Sequence, residues 1–100
     1  MSFDSLGPVD ELTTPALLID LDRLERNIAT MASRAAGAVS LRPHAKAHKC
    51  VEIARRQHLA GAVGVTTATV WEALMMARAD VGEILLSSQI VDQDKLAVLA

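Results

Sequence analysis

The sequence predicts an α/β fold built from about four strand-then-helix units. Short apolar segments typical of buried strands begin near residues 16, 39, 62 and 84, so one unit recurs about every 22 or 23 residues. Each segment is followed by a stretch whose apolar residues recur at helical spacing. Strands that alternate with helices form parallel sheets with right-handed crossovers. Four such units amount to half of an eight-stranded (β/α) barrel, which takes roughly 250 residues.

The composition excludes several classes of protein. Hydrophobic residues make up 51% of the chain but aromatic residues only 2%, so we expect a core of small aliphatic side chains. A net charge of −2, without aromatic residues among the basic ones, argues against nucleic-acid binding. The first ten residues lack the apolar core of a signal peptide, and no apolar run is long enough to span a membrane. With Cys50 as the only cysteine, we expect a cytoplasmic protein without disulfides.

The chain divides into two parts of unequal length. Residues 1–15 are predicted to be an irregular N-terminal segment, and residues 16–100 a partial (β/α) barrel domain. Because four units cannot close a barrel, two sheet edges would stay open without further strands. We therefore expect the chain to be the N-terminal portion of a longer protein.

The elements of the four units follow from apolar runs and capping residues. The predicted strands are 16–19, 39–45, 62–66 and 84–86. The predicted helices begin at Asp22, near Lys49, at Thr69, and at Asp92 or Asp94. Leu59 is expected to face inward, as are Trp71, Met75 and Met76, which would fill the core between helix and sheet.

Residues 41–49 concentrate positive charge in an otherwise apolar chain. If this segment is extended, Arg42, His44, Lys46 and His48 lie on one face and small apolar residues on the other. A basic face cannot be buried unpaired, so it predicts an anion or cofactor site. Pro43 suits a bulge or an edge, because it removes one hydrogen bond from a strand ladder.

Polar residues also follow the predicted strands. They lie at the carboxyl ends, where parallel α/β folds place their ligand sites, and comprise Asp20, Lys46, Thr66, Thr67, Ser87 and Ser88. Ser87, Ser88 and Gln89 can thus line the mouth of a pocket, although a serine at a strand end needs no function.

Residues 42–49, Arg-Pro-His-Ala-Lys-Ala-His-Lys, resemble the cofactor-lysine motif of the D-threonine aldolase and D-serine dehydratase family. These are fold-type III pyridoxal-phosphate enzymes of the alanine-racemase type. Residues 14–20 and 24–27 look like the first strand and helix of that family, and residues 71–74 lie where it has its third helix. The resemblance covers nearly all of this chain but only the first part of the family's length.

The resemblance implies roles for individual residues. Lys46 would form the Schiff base with pyridoxal 5'-phosphate, with His44, His48 and Arg42 around the cofactor and Lys49 as a bystander. The positive neighbours of Lys46, together with partial burial, would favour the neutral amine that attacks an aldehyde.

The resemblance also implies an activity. It is a metal-assisted lyase reaction on a small D-β-hydroxy amino acid, either retro-aldol cleavage to glycine plus an aldehyde or elimination as in D-serine dehydratase. The divalent metal (Mn, Mg or Zn) would be held by residues that nothing in this chain matches, and the full-length protein would be a homodimer. The alternatives are a non-catalytic pyridoxal-phosphate-binding protein of the same barrel type, or an inactive fragment.

Three other interpretations of the basic segment stay open. His44 and His48 are spaced like two metal ligands on one helix face. Arg42 either orients a neighbouring group or forms an ion pair with an acidic residue such as Asp20. Cys50 is more simply a small core residue than a nucleophile.

Overall fold

The computed structural model describes residues 7–100, which form four α-helices and one two-stranded sheet. After a 3-10 turn at Val9–Glu11, the elements are α1 (Leu21–Ala35), α2 (Val51–Leu59), β1 (Gly64–Thr67), α3 (Val70–Ala77), β2 (Glu83–Leu86) and α4 (Gln93–Leu99). Of the predicted irregular segment 1–15, residues 1–6 lie outside the described residues. None of the helices in residues 7–100 is long and apolar enough to cross a membrane.

The last two predicted strands form, and they pair in parallel as expected. Gly64 lies opposite Glu83 and Thr67 opposite Leu86, with α3 as the crossover between the strands. A Cβ atom at Gly64 would lie 1.8 Å from the carbonyl oxygen of Glu83. Glycine therefore allows the close backbone approach at the start of this pair.

The predicted strand 39–45 is wrong as a regular strand, although its second half does lie beside β1. It makes one isolated parallel bridge, between His44 and Thr66. Three backbone hydrogen bonds of 2.8–2.9 Å hold it there: Val63 to Leu41, Thr66 to Pro43 and Ala45 to Thr66, donor first. Between the first two bonds, two residues of the β1 segment lie opposite a single residue of the 39–45 segment. Because Pro43 has no N–H, the ladder is interrupted at this bulge, as the proline indicated.

The predicted strand 16–19 is not formed. Its backbone makes no hydrogen bond within residues 7–100, and Leu17 and Leu18 are exposed. A strand requires a partner along its edge, and an apolar strand also requires cover on both faces. The described residues supply neither.

Side-chain caps set the starts of three of the four helices in residues 7–100, α1, α3 and α4. Asp20 rather than Asp22 caps α1, accepting a 3.0 Å hydrogen bond from the Arg23 amide. Thr69 caps α3 as predicted, and of the two aspartates proposed for α4 it is Asp92 that caps the helix. The second helix starts at Val51 and not near Lys49, because Lys49 has a φ of 48°, which is incompatible with a right-handed helix.

The core is built from small aliphatic residues, as the composition indicated. Its buried cluster is Ala45, Ala54, Val65, Met76, Ala79 and Val81. Met76 is fully buried, which stabilises the fold by about 1.5–3 kcal/mol. The inward placement of Leu59 and Trp71 is wrong, because they are 80% and 60% exposed. Val70, Ala73 and Met76 occupy the buried face of α3, and Trp71 lies outside it.

Candidate functional site

Lys46 lies immediately after the segment that pairs with β1. Ala45 is fully buried and donates to the Thr66 carbonyl, and residues 46–48 then form a turn that is closed by a 2.8 Å bond from the Lys49 amide to the Ala45 carbonyl. The strand-like alternation predicted through His48 therefore ends at Ala45. Lys46 is exposed rather than partly buried, and its ammonium has no hydrogen-bond or ion-pair partner within residues 7–100. Its amine is accessible to an aldehyde.

His44 connects the carboxyl ends of three neighbouring segments. Its Nδ1 accepts a 3.2 Å hydrogen bond from the Lys46 amide, so the ring proton of the neutral imidazole is on Nε2. Nε2 lies 3.4 Å from the Ser87 hydroxyl oxygen, and that hydroxyl donates to the Thr67 carbonyl at 3.0 Å. The structure thus brings Ser87 and Thr67, both predicted at this edge, next to His44.

His48 is the half-buried imidazole of the turn. Its Nδ1 accepts a 2.9 Å hydrogen bond from the Cys50 amide, which again leaves the proton on Nε2. Burial, and secondly the positive charge of Lys49, lower the pKa of His48 below its ordinary value. Within residues 7–100, Nε2 is buried without a partner. His48 is therefore a neutral ring with one unused hydrogen-bond donor.

Lys49 is exposed, as expected for a lysine that does not hold the cofactor, but its ammonium has two partners. It donates to the Lys46 carbonyl at 2.6 Å and lies 2.8 Å from Oε1 of Glu72. The Glu72 side chain is only 8% exposed, and its other oxygen accepts the Ala68 amide at 2.8 Å. The hydrogen bond from Lys49, followed by that from Ala68, lowers the pKa of Glu72.

Arg42 forms an ion pair, but not with Asp20. Its Nη2 is 2.8 Å from Oε2 of Glu83, the first residue of β2, whereas Asp20 caps α1 and lies 3.4 Å from Arg23. Of the two interpretations left open, the ion pair is the one that the structure contains. A contact between Arg42 and a cofactor stays a prediction.

No metal site is assembled in the described residues. Within 7–100, no group of three or more His, Cys, Asp or Glu side chains could hold a metal ion. His44 and His48 lie at a strand end and in a turn, so the helical spacing that suggested a ligand pair does not apply. Both rings also use Nδ1 to accept backbone amides.

Sequence reasoning missed the two acidic partners of the site, Glu72 and Glu83. In the sequence, Glu72 fits only a capping-box pattern with Thr69, which is a local signal for a helix start. Its pairing with Lys49, and that of Glu83 with Arg42, join different strand–helix units. No local pattern encodes such tertiary contacts.

An apolar cavity lies away from this edge. A cavity of about 390 Å³ is lined by α1, α2 and the start of the paired segment, including Leu24, Ile28, Met31, Leu41 and Ala62. Neither Lys46 nor either histidine lines it. The candidate site is instead an open surface, defined by the groups that can react and not by an enclosed volume.

Comparison with known protein families assigns this chain to one of them. The profile of the family described as "Alanine racemase, N-terminal domain" matches residues 19–100. The chain belongs to this family. The α/β arrangement of residues 7–100 is thus assigned to the type of family that residues 42–49 had indicated.

Two curated relatives show which enzymes the chain is similar to. The chain is 44% identical to D-threonine aldolase from Arthrobacter sp over 93 residues, 92% of this chain and 24% of that protein. It is 49% identical to D-threo-3-hydroxyaspartate dehydratase from Delftia sp. (strain HT23) over 75 residues, 74% of this chain and 20% of that protein.

A solved structure shows the same backbone. The crystal structure of D-threonine aldolase from Filomicrobium marinum superposes with a TM-score of 0.86 at 48% identity, covering 91% of this chain and 25% of that one. The chain therefore spans about a quarter of the length of these relatives. The resemblance of this chain to the N-terminal portion of D-threonine aldolase and of D-threo-3-hydroxyaspartate dehydratase is confirmed.

Proposed function

We propose that these residues are the N-terminal portion of a pyridoxal-phosphate-dependent lyase of D-β-hydroxy amino acids, with Lys46 as the cofactor lysine. The observation that supports this most is the exposed amine of Lys46, which has no partner within residues 7–100 and lies at the carboxyl end of a segment in a parallel α/β arrangement. The curated relatives are aldolases and a dehydratase, which supports lyase chemistry. As a finer proposal, the chain supplies about four units of a complete (β/α)8 barrel.

The residues around Lys46 fit pyridoxal phosphate. The cofactor offers an aldehyde to an amine, and it carries oxygen atoms that accept hydrogen bonds. Lys46 presents the amine, and the buried Nε2–H of His48, in the same turn, is a donor without a partner in the part of the chain that the structure describes. Lys46 would hold the cofactor covalently, with His48 and His44 beside it and Arg42 as a further predicted contact. When bound, pyridoxal phosphate withdraws electrons from the α-carbon of the amino acid.

The chain's own residues would position and protect this chemistry. Lys46 would offer its Nζ to the cofactor's aldehyde, and its backbone amide is fixed by His44. His44 is itself fixed through Ser87 to Thr67, so its Nε2 proton stays directed at the strand ends. The lowered pKa of His48 keeps that ring neutral, so its buried Nε2–H is an uncharged hydrogen-bond donor.

Other properties of the full-length protein, meaning the complete gene product that carries these residues, follow from the same proposal. Residues 16–100 would be part of the barrel domain, preceded by the 1–15 segment. We propose a cytoplasmic homodimer that acts on a small D-amino acid and has no nucleic-acid or membrane partner. A divalent metal (Mn, Mg or Zn), held by residues outside 7–100, would polarise the β-hydroxyl group.

A turnover assay tests this function. The full-length protein, supplied with pyridoxal phosphate and Mn²⁺, is incubated with D-threonine, L-threonine or D-threo-3-hydroxyaspartate. The proposal expects glycine plus an aldehyde, or ammonia plus a keto acid, from D-substrates only, and loss of that activity in Lys46→Ala. Cofactor binding without turnover of either D-substrate would favour the non-catalytic alternative. Equal turnover by Lys46→Ala would contradict the assignment of the lysine.

A further inference from the structure

We propose that Lys49 and Glu72 form a positioning pair that fixes the turn carrying Lys46 and directs the cofactor to that lysine alone. This inference rests on the proposed role of Lys46. The pair spans two strand–helix units, because Lys49 precedes α2 whereas Glu72 lies in the first turn of α3. Its function would be to hold the Lys46 backbone while leaving the Lys46 side chain free.

Both peptide groups of Lys46 are held by side chains. Its amide donates to Nδ1 of His44, and its carbonyl accepts the Lys49 ammonium at 2.6 Å. The ammonium of Lys46 itself has no partner within residues 7–100. A reactive side chain on a fixed backbone samples fewer unproductive positions, which is how an enzyme lowers the entropy cost of attack.

The conformation of Lys49 supports a specific role. Its φ of 48° places a non-glycine residue in the left-handed region, which glycine or asparagine would occupy more readily. Such a conformation persists where surrounding contacts hold it. Here the contacts are the Lys46 carbonyl and the Glu72 carboxylate, so the strained residue is the one that makes both bonds.

Glu72 anchors the pair to the neighbouring unit. Its buried carboxylate accepts Lys49 at one oxygen and the Ala68 amide at the other, and its own amide donates to the Thr69 hydroxyl. A carboxylate this buried requires such partners to stay charged. The Lys49 side chain already donates to a carboxylate and a carbonyl, so an aldehyde would have to displace both bonds there, whereas the Lys46 side chain has no partner within residues 7–100.

The test measures where and how fast the cofactor attaches in the full-length protein. Wild type, Lys49→Asn, Glu72→Gln and the double variant are mixed with pyridoxal phosphate, reduced with borohydride at timed intervals, and mapped by peptide mass spectrometry. Asparagine suits the left-handed backbone at residue 49, so that variant removes the ammonium without adding strain. Arg55→Gln is the matched control, because it removes an ion pair of similar length, 3.0 Å to Glu52, on the outer side of α2.

We expect Lys49→Asn and Glu72→Gln each to slow trapping at Lys46 about tenfold. Each variant removes one charge-assisted hydrogen bond, and the free energy of one such bond corresponds to a factor of about that size. The double variant should be no slower than either single variant, since both remove the same interaction. Glu72→Gln should also divert part of the trapped cofactor to Lys49, a shift that lost stability alone would not produce. Arg55→Gln should behave as wild type.

Trapping at Lys46 at the wild-type rate in Lys49→Asn would overturn the inference, whatever the effect on stability. If Glu72→Gln does not fold, Lys49→Asn decides alone, because that side chain is largely exposed. Failure of the underlying function looks different: wild type itself would show no trapping at Lys46. Normal trapping at Lys46 in wild type and in both single variants overturns only the positioning pair.

Discussion

The three lysines of the chain differ in what surrounds each ammonium group. Lys49 is bound to Glu72 and to a backbone carbonyl, whereas Lys46 has no side-chain partner within residues 7–100. Lys95 lies in the first turn of the exposed helix α4 and not at the end of a paired segment. Only Lys46 combines a free amine with a position at the carboxyl edge of the parallel segments. This contrast is the residue-level basis for assigning the cofactor to it.

At this scale the sequence indicated Lys46, His44 and His48 but not their geometry. The motif named the residues, and the structure showed that the chain turns after Ala45 and that both imidazoles accept backbone amides. The turn and the imidazole contacts depend on local hydrogen bonds, which cannot be predicted from the strand-like alternation of side chains. The roles of Glu72 and Glu83 depend on contacts between units, which composition and spacing do not encode.

Replacing His48 tests the consequence of its lowered pKa. The folded pKa lies below the ordinary value of 6.5, so between these two values the unfolded chain binds more protons than the folded one. The free energy of unfolding therefore decreases as the pH falls from 6.5 through the folded pKa, and this contribution should be absent in His48→Asn. Asparagine keeps an acceptor for the Cys50 amide.

Urea titrations of the full-length protein between about pH 7.5 and about pH 5 measure this difference. Because His44 and His58 remain in both proteins, they provide the common background. An identical pH dependence in wild type and His48→Asn would show that His48 does not carry the effect.

At the scale of elements, helices were easier to predict than strands. Thr69 and Asp92 cap α3 and α4 through side-chain bonds that lie within three residues, so local sequence encodes them. The predicted strand 16–19 is not formed because a strand requires a partner strand, and residues 7–100 supply none for it. Residues 41–45 formed an irregular pair with β1 because Pro43 interrupts the ladder.

The β1–β2 pair should depend on the glycine at its start. In Gly64→Ala the new methyl group would lie 1.8 Å from the Glu83 carbonyl oxygen, so the strands must separate. We expect the free energy of unfolding to fall by about 3 kcal/mol, the upper range for overpacking. Gly37→Ala is the control, because its added atom meets nothing within 4 Å and only the positive φ costs about 1 kcal/mol.

Equilibrium denaturation of both variants measures the comparison. A Gly64→Ala protein as stable as Gly37→Ala would show that the strands do not approach this closely in solution.

As a whole molecule, the described chain is a slab and not a compact globule. Its principal extents are 46 × 38 × 18 Å, and its radius of gyration of 15.7 Å exceeds the roughly 13 Å expected for a globular domain of 100 residues. Large apolar residues remain exposed on it, including Leu17, Leu18, Leu85 and Val91. This shape suits one wall of a larger barrel, in line with the proposed fold.

The exposed apolar surface predicts how the 100 residues behave by themselves. We expect the isolated segment to self-associate as concentration rises and to bind an apolar dye, because leucine-rich surface is favourable to bury. The full-length protein should bind far less dye, since further strands would cover Leu17, Leu18 and Leu85. Sedimentation velocity and dye fluorescence measure both properties. A monomeric segment without dye binding would indicate that these side chains are covered by the segment itself.

The identity of the cofactor lysine is tested most directly by reductive trapping in the full-length protein. Wild type, Lys46→Ala and Lys95→Ala are incubated with pyridoxal phosphate, reduced with borohydride and analysed by peptide mass spectrometry. We predict one modified peptide, carrying the cofactor on Lys46, in wild type and in Lys95→Ala, and none at this site in Lys46→Ala together with loss of the visible absorbance band. Wild-type protein modified at Lys49 or Lys95 instead, or not modified at all, would contradict the proposal that Lys46 holds the cofactor.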